Sequence, residues 1–210
     1  MATAERLKYS LEQYLDFENN SQERHEYFRG EIFLMTGGSR RHGRIIGNLY
    51  YHSRREMEGT PCEPHISDQR VAVKDAQLHT YPDMAVVCGP IEYHPVDHNA
   101  IVNPSILFEV LSPTTERYDR GKKFELYRHI DSLREYILVS QDEPLVEQFV
   151  RLEDGTWNLS EIRGLSATLE LSAVRCKLPL KLIYENVDFA PETPVDAAPP
   201  IQVQTERLSE

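Results

Sequence analysis

With 210 residues, 40% of them hydrophobic and 27% charged, the chain is long enough for one sizeable core and carries the composition of a soluble globular protein. A formal charge of −11 excludes a protein that coats nucleic acid non-specifically, since that affinity comes from Lys and Arg set against phosphates. The same charge is compatible with a nuclease, whose divalent metal needs carboxylates, and no apolar run approaches the roughly 20 residues of a membrane helix.

MATAERLKYSLEQYLDF lacks the uninterrupted apolar core of a signal peptide. Residues 10 to 28 are predicted as helix, with Ser10 as N-cap and Leu11, Tyr14, Leu15 and Phe17 in ragged helical spacing. Gly30 breaks it, and 31–37 (EIFLMTG) is a short strand. Over 41–57, Ile45, Leu49 and His52 repeat at helical spacing, giving an amphipathic helix whose back carries Arg40, Arg41, Arg44, Arg54 and Arg55. This is either a phosphate-facing patch or a solvated face.

Three strands follow at 67–73 (SDQRVAV), 83–88 (DMAVVC) and 105–111 (SILFEVL), with a Pro- and His-rich loop at 89–104. A helix from about Arg117 to Ile130 leads to a strand at 133–140, and 146–162 reads as a hairpin around Asp154-Gly155. Short strands extend to about residue 187. The domain is taken as residues 1–189, and 190–210, rich in Pro, Ala and acid, as a disordered tail. The order helix, three strands, helix, strand indicates an α/β (α+β) fold with a mixed sheet flanked by helices. Cys62, Cys88 and Cys176 are odd in number and scattered. They form neither a disulfide framework nor a CxxC metal knuckle and point to a reducing cytoplasm.

The chemistry concentrates on SILFEVLSP. Its glutamate, Glu109, sits inside a buried strand, where an ionised side chain needs a partner. By strand parity Glu109 shares a face with Leu107 and Leu111, opposite Ile106, Phe108 and Val110. Asp83 precedes the neighbouring apolar run, after Pro82. If the two strands pair, both carboxylates converge, and a shared divalent cation would keep both ionised. On the next helix Lys123 projects into the apolar face set by Phe124, Leu126, Tyr127 and Ile130, with Lys122 towards its edge. Each residue also has an ordinary explanation. Glu109 can pair with a structural cation, Asp83 can be a turn residue, and Lys123 can snorkel or pair with Asp119. His42, opening the basic helix, either reaches the site or has an ordinary capping or surface role, and Glu26 either adds a ligand or faces solvent. HExxH and HxH spacings are absent, as are GxGxxG, GxxxxGK[ST] and GxSxG.

In order, HEYFRGEI, RHG (41–43), SDQRV, YPDMAVVC, ILFEVLSPTT and DRGKKFELYRHIDSLREYILV resemble the Uma family of endonuclease-like proteins, within the PD-(D/E)xK superfamily of restriction-endonuclease-like nucleases. The likeness covers roughly residues 10 to 187. It implies an αβββαβ core, with an N-terminal helix and strand and a C-terminal hairpin added. It places the PD motif on Pro82-Asp83 and the (D/E)xK motif on Glu109-Val110-Leu111, where Leu111 stands at the usual lysine position. The family takes that lysine from the following helix, here Lys123. The implied activity is DNA phosphodiester hydrolysis dependent on Mg²⁺ or Mn²⁺, with Asp83, Glu109 and the Val110 carbonyl as metal ligands and Lys123 assisting the water. By analogy the protein is a homodimer. The alternative is a catalytically silent member that binds nucleic acid or protein.

Overall fold

The computed structural model describes residues 8–190, Thr36 and Ser67 excepted, so the tail expected at 190–210 lies, apart from Ala190, outside the described residues. Helix α1 (Leu11–Asn20) opens with a capping box in which Ser10 and Gln13 satisfy each other's backbone N–H groups. The helix stops there, short of residue 28. His25–Phe28 is a strand, β1, paired with β2 (Glu31–Leu34) through a two-residue turn. Arg29 and Gly30 both take positive φ (48° and 91°), the twist a tight hairpin requires. The inward residues of β1 are His25 and Tyr27, not aliphatics, so the four-residue alternation reads as a continued helix.

Helix α2 (Arg40–Glu56) buries Ile45, Leu49 and His52 as the spacing requires. Strand β3 (Cys62–Ile66) follows, then β4 (Arg70–Val73), β5 (Leu78–Thr80), β6 (Met84–Cys88), β7 (Ala100–Ile101) and β8 (Ile106–Val110). Two assignments change. The first core strand is CEPHI, not SDQRVAV, whose last four residues join another sheet as β4. Pro64 hides β3 in the sequence, yet β3 is an edge strand, where a missing backbone donor is tolerated. The loop at 89–104 also contributes β7.

The helix after β8 is built from α3 (Glu116–Tyr118), a π-helical turn (Asp119–Lys123) and α4 (Phe124–Tyr127). It ends three residues before Ile130. Strand β9 (Glu135–Val139) and the hairpin β10 (Leu145–Arg151) and β11 (Trp157–Arg163) complete a six-stranded sheet ordered β11-β10-β9-β8-β6-β3. Only β8 and β9 run parallel in it, joined by the helical crossover such a pair demands. The order α2, β3, β6, β8, α3–α4, β9 is the expected αβββαβ core. Strands β12 (Thr168–Leu171) and β13 (Cys176–Pro179) pair with each other, and α5 (Leu180–Ile183) follows.

Two apolar layers clamp the large sheet. On one face Ile45 and Leu49 of α2, with Leu169, Leu178 and Ile183, cover Val86, Phe108, Val110 and Ile137. On the other, Leu126 and Tyr127 of α4 cover Leu107, Leu111, Tyr136 and Leu138. This second layer runs on to the five-stranded sheet β2-β1-β5-β4-β7 through Val71, Val73 and Leu78. Glu109 lies on this second face, as parity requires.

The cysteine expectation is corrected. Cys62 and Cys88 are 26 residues apart in the chain but directly opposite in the β3–β6 register, and they are disulfide-bonded; Cys176 is free and buried. Among the described residues no helix is long and apolar enough to cross a membrane.

Candidate active site

Antiparallel pairing of β6 with β8 sets Met84 opposite Phe108, so Asp83, one residue earlier, lies beside Glu109 and Val110 at the end of β8. The Val110 N–H donates to Asp83 Oδ2 at 2.7 Å. A residue's N–H and C=O leave a strand on the same side, so the Val110 carbonyl also faces the Asp83 edge. The next amide, Leu111 N–H, points the other way to Val139 O.

The π-helical turn brings Lys123 to the second carboxylate. Both Asp119 and Lys123 are buried on the turn's inner side. Lys123 Nζ lies 2.8 Å from Glu109 Oε1, 3.4 Å from Glu26 Oε1 and 3.7 Å from Asp119 Oδ1. Glu109 thus pairs with Lys123, which also pairs with Asp119 at a longer distance. Tyr127 donates to Glu109 Oε1 at 2.9 Å. Lys122 is exposed and pairs with Glu125. Leu111 is buried in the second layer and has no amine to offer.

His42 does not lie idle on the surface. Its Nε2 is 3.2 Å from Asp83 Oδ2, and both side chains are largely buried. Glu26, on β1 and not on a helix, faces the same cluster and accepts a hydrogen bond from the Thr80 hydroxyl. The sequence reading missed Tyr127 as a partner, although its i+4 spacing from Lys123 held the signal. It also left His42 open, because nothing local ties α2 to β6.

Glu26, His42, Asp83, Glu109, Asp119 and Lys123 line a cleft of about 720 Å³, whose wall also includes Arg41. Of the five arginines singled out on α2, Arg41 enters the cleft wall, bonded to Gln141 O and Ala190 O. Arg40, Arg44, Arg54 and Arg55 are exposed.

Electrostatically the cleft is short of positive charge. Burial pushes the Glu109 carboxyl up to about 8; the Lys123 ammonium opposes this, while Asp119 and Asp83 add to it. Asp119 is raised by burial too, against the pull of Lys123. Lys123 is held protonated: burial works against its charge, but Glu109, Glu26, Tyr127 and Asp119 outweigh it. For His42, burial opposes protonation and Asp83 outweighs it, so the ring sits above its ordinary 6.5. Each carboxylate uses one oxygen for its bonds, Asp83 Oδ2 and Glu109 Oε1. The second oxygen of each accepts no hydrogen bond among the described residues.

Comparison with known proteins bears on the family and the fold. A family model, Uma2, described as "Putative restriction endonuclease", matches residues 11–181. Two relatives come from Synechocystis sp. (strain ATCC 27184 / PCC 6803 / Kazusa). "Uncharacterized protein slr1290" is 36% identical over 87% of this chain and 94% of its own length. "Uncharacterized protein sll1609" is 32% identical over 78% of this chain and 92% of its own. A solved structure, titled a "putative nuclease belonging to DUF820" from Anabaena variabilis ATCC 29413, superposes with a TM-score of 0.67 at 15% identity. It covers 83% of this chain and 97% of that one, and carries the same fold. The mixed sheet flanked by helices, the ordered motifs and the family match over most of the chain make this protein a member of the Uma2 restriction-endonuclease-like family.

Proposed function

We propose that the protein is a divalent-metal-dependent endonuclease that hydrolyses phosphodiester bonds in DNA. The observation that carries this reading is the buried Lys123 ammonium, 2.8 Å from Glu109 Oε1 on a strand whose next residue binds Asp83. That arrangement supplies from a helix the amine that Leu111 cannot.

The donors suit a hard cation. Among the described residues no three His, Cys, Asp or Glu side chains gather into a ready-made ligand set. Two carboxylates and one backbone carbonyl make an open set instead, which leaves positions for water and phosphate, as Mg²⁺ prefers. Asp83 and Glu109 would hold Mg²⁺ or Mn²⁺ through their oxygens free of hydrogen bonds, with the Val110 carbonyl from the same edge. When bound, the metal supplies Lewis-acid polarisation of the scissile phosphate and a water of lowered pKa. Lys123 orients the attacking water or meets the charge developing on the phosphate. Tyr127 and Glu26 keep Glu109 and Lys123 in place. Arg41 offers a contact to the backbone phosphates at the cleft wall. A homodimer would let two such sites cut both strands.

Nicking of supercoiled plasmid in Mn²⁺, with Asp83→Ala alongside, tests this. Cleavage is expected from the wild type and not from the variant. Equal trace backgrounds in both would leave a catalytically silent nucleic-acid- or protein-binding module as the better description.

A further inference from the structure

We propose that His42 is a positioning residue for the metal-binding carboxylate, held beside Asp83 by the absence of a side chain at Gly38. The inference rests on the assignment of Asp83 as a metal ligand and says what fixes its orientation.

Asp83 Oδ2 is gripped from two elements at once: the Val110 N–H of β8 at 2.7 Å and His42 Nε2 of α2 at 3.2 Å. These two contacts hold Oδ2 from two sides, and Oδ1 accepts no hydrogen bond among the described residues. Carboxylates that ligate metals are themselves held by hydrogen bonds, and losing such a partner weakens metal binding.

His42 does not cap its helix. Ser39 does so, its hydroxyl oxygen accepting from the His42 backbone N–H at 3.1 Å. Ser39 in turn donates to Gln141 Oε1 at 2.8 Å, and Gln141 Nε2 donates to Leu111 O at 2.5 Å. The start of α2 is thereby fastened to the end of β8, which fixes the His42 backbone relative to Asp83.

Gly38 makes the arrangement possible. A Cβ there would lie 2.4 Å from His42 Nδ1, 2.7 Å from its Cγ and 3.1 Å from its Cβ, so the whole ring would have to move. Gly37 next to it is a built-in control, because a Cβ at that position meets nothing within 4 Å.

Mn²⁺ affinity of the purified protein, measured by calorimetry or electron paramagnetic resonance beside the thermal midpoint of the metal-free form, tests the proposal. His42→Ala is expected to weaken Mn²⁺ binding by about 10- to 100-fold while the metal-free protein stays folded, with only a small fall in its midpoint. His42→Gln, which keeps a donor N–H, should recover most of it. Gly38→Ala should reproduce the loss and Gly37→Ala should not. In the His42→Ala background, Gly38→Ala should have no further effect.

Wild-type Mn²⁺ affinity in His42→Ala overturns the proposal, and so does Gly38→Ala adding its full effect on top of it. Should His42→Ala fail to fold, Gly38→Ala against Gly37→Ala decides. If Asp83→Ala loses Mn²⁺ and His42→Ala keeps it, only the positioning role falls. If the wild type binds no Mn²⁺, the metal site and this inference fall together.

Discussion

Tyr81 stands between two clusters of buried charge, lining the cleft on one side and a smaller polar hollow of about 360 Å³ on the other. The cluster beyond the cleft is balanced. Arg70 Nη2 donates to Asp97 Oδ1 at 2.9 Å, His79 Nδ1 lies 3.0 Å from Asp97 Oδ2, and Arg70 Nη1 reaches the Tyr81 hydroxyl. Tyr81 in turn donates to Glu18, which also holds His25. Burial works against the Asp97 charge, yet His79 and Arg70 hold its pKa below 3.8. In the cleft, by contrast, three carboxylates lie within 4 Å of the Lys123 ammonium, and burial lifts Glu109 above 4.5. Structural ion clusters close on themselves. The cleft is left with an excess of acid that one more cation would neutralise.

The sharpest way to break this comparison is a matched pair of carboxylate-to-amide changes. Asp97→Asn leaves the Arg70 guanidinium buried without its counter-ion, and the expected loss is about 3–5 kcal/mol in urea unfolding. Glu109→Gln removes one of several acids around Lys123, whose ammonium keeps Glu26 and Asp119. Its expected loss in the metal-free protein is about 1 kcal/mol or less, together with loss of Mn²⁺ binding. Equal losses from the two variants would mean that the cleft is an ordinary structural ion cluster.

Lys123→Met sharpens the comparison from the other side. If the amine acts on the reaction and the metal sits on the carboxylates, plasmid nicking should fall by about 10²–10³-fold. Mn²⁺ affinity should hold or rise, because a neighbouring positive charge no longer repels the cation from Glu109. The variant should also gain more thermal stability from Mn²⁺ than the wild type does, having lost its internal cation. A parallel collapse of metal binding and nicking would assign Lys123 to holding the carboxylates in place.

Much of the cleft was legible because it obeys local periodicities. Strand parity put Glu109 on the face that α4 covers, and helical spacing chose Lys123 over Lys122 although a π-helical turn carries it. What stayed hidden was non-local or broke a local rule. Pro64 disguised β3, which tolerates it as an edge strand. His25-Glu26-Tyr27-Phe28 alternates with polar and aromatic residues inward, so its strand period was too weak to separate from the helix before it. The Cys62–Cys88 bond depends on register, which spacing along the chain does not carry. His42 reaches Asp83 only because α2 is pinned to the end of β8 through Ser39 and Gln141.

In the pH dependence of stability, too, the two clusters should pull in opposite directions. Asp97 binds its proton more weakly in the folded protein than in the unfolded chain. Its contribution is therefore complete above about pH 4, the unfolded aspartate value, and is lost as pH falls through the lower folded pKa. Glu109 binds its proton more tightly when folded, with a pKa raised from 4.5 to about 8. Its contribution is complete below about pH 4.5 and is lost as pH rises towards 8. His42, also raised, adds to the same decline above 6.5. Metal-free wild type should thus be most stable in mildly acidic solution and weaken towards pH 8, and Glu109→Gln should flatten that alkaline limb without touching the acid one. Saturating Mn²⁺ should flatten it too, since a cation on the carboxylates removes their preference for protons, and Mn²⁺ affinity should itself rise with pH over the same range. Urea midpoints from pH 3 to 9, with and without Mn²⁺, measure both limbs. An alkaline limb that survives Glu109→Gln unchanged would assign it to Asp119 or His42 rather than to the carboxylate proposed to bind metal.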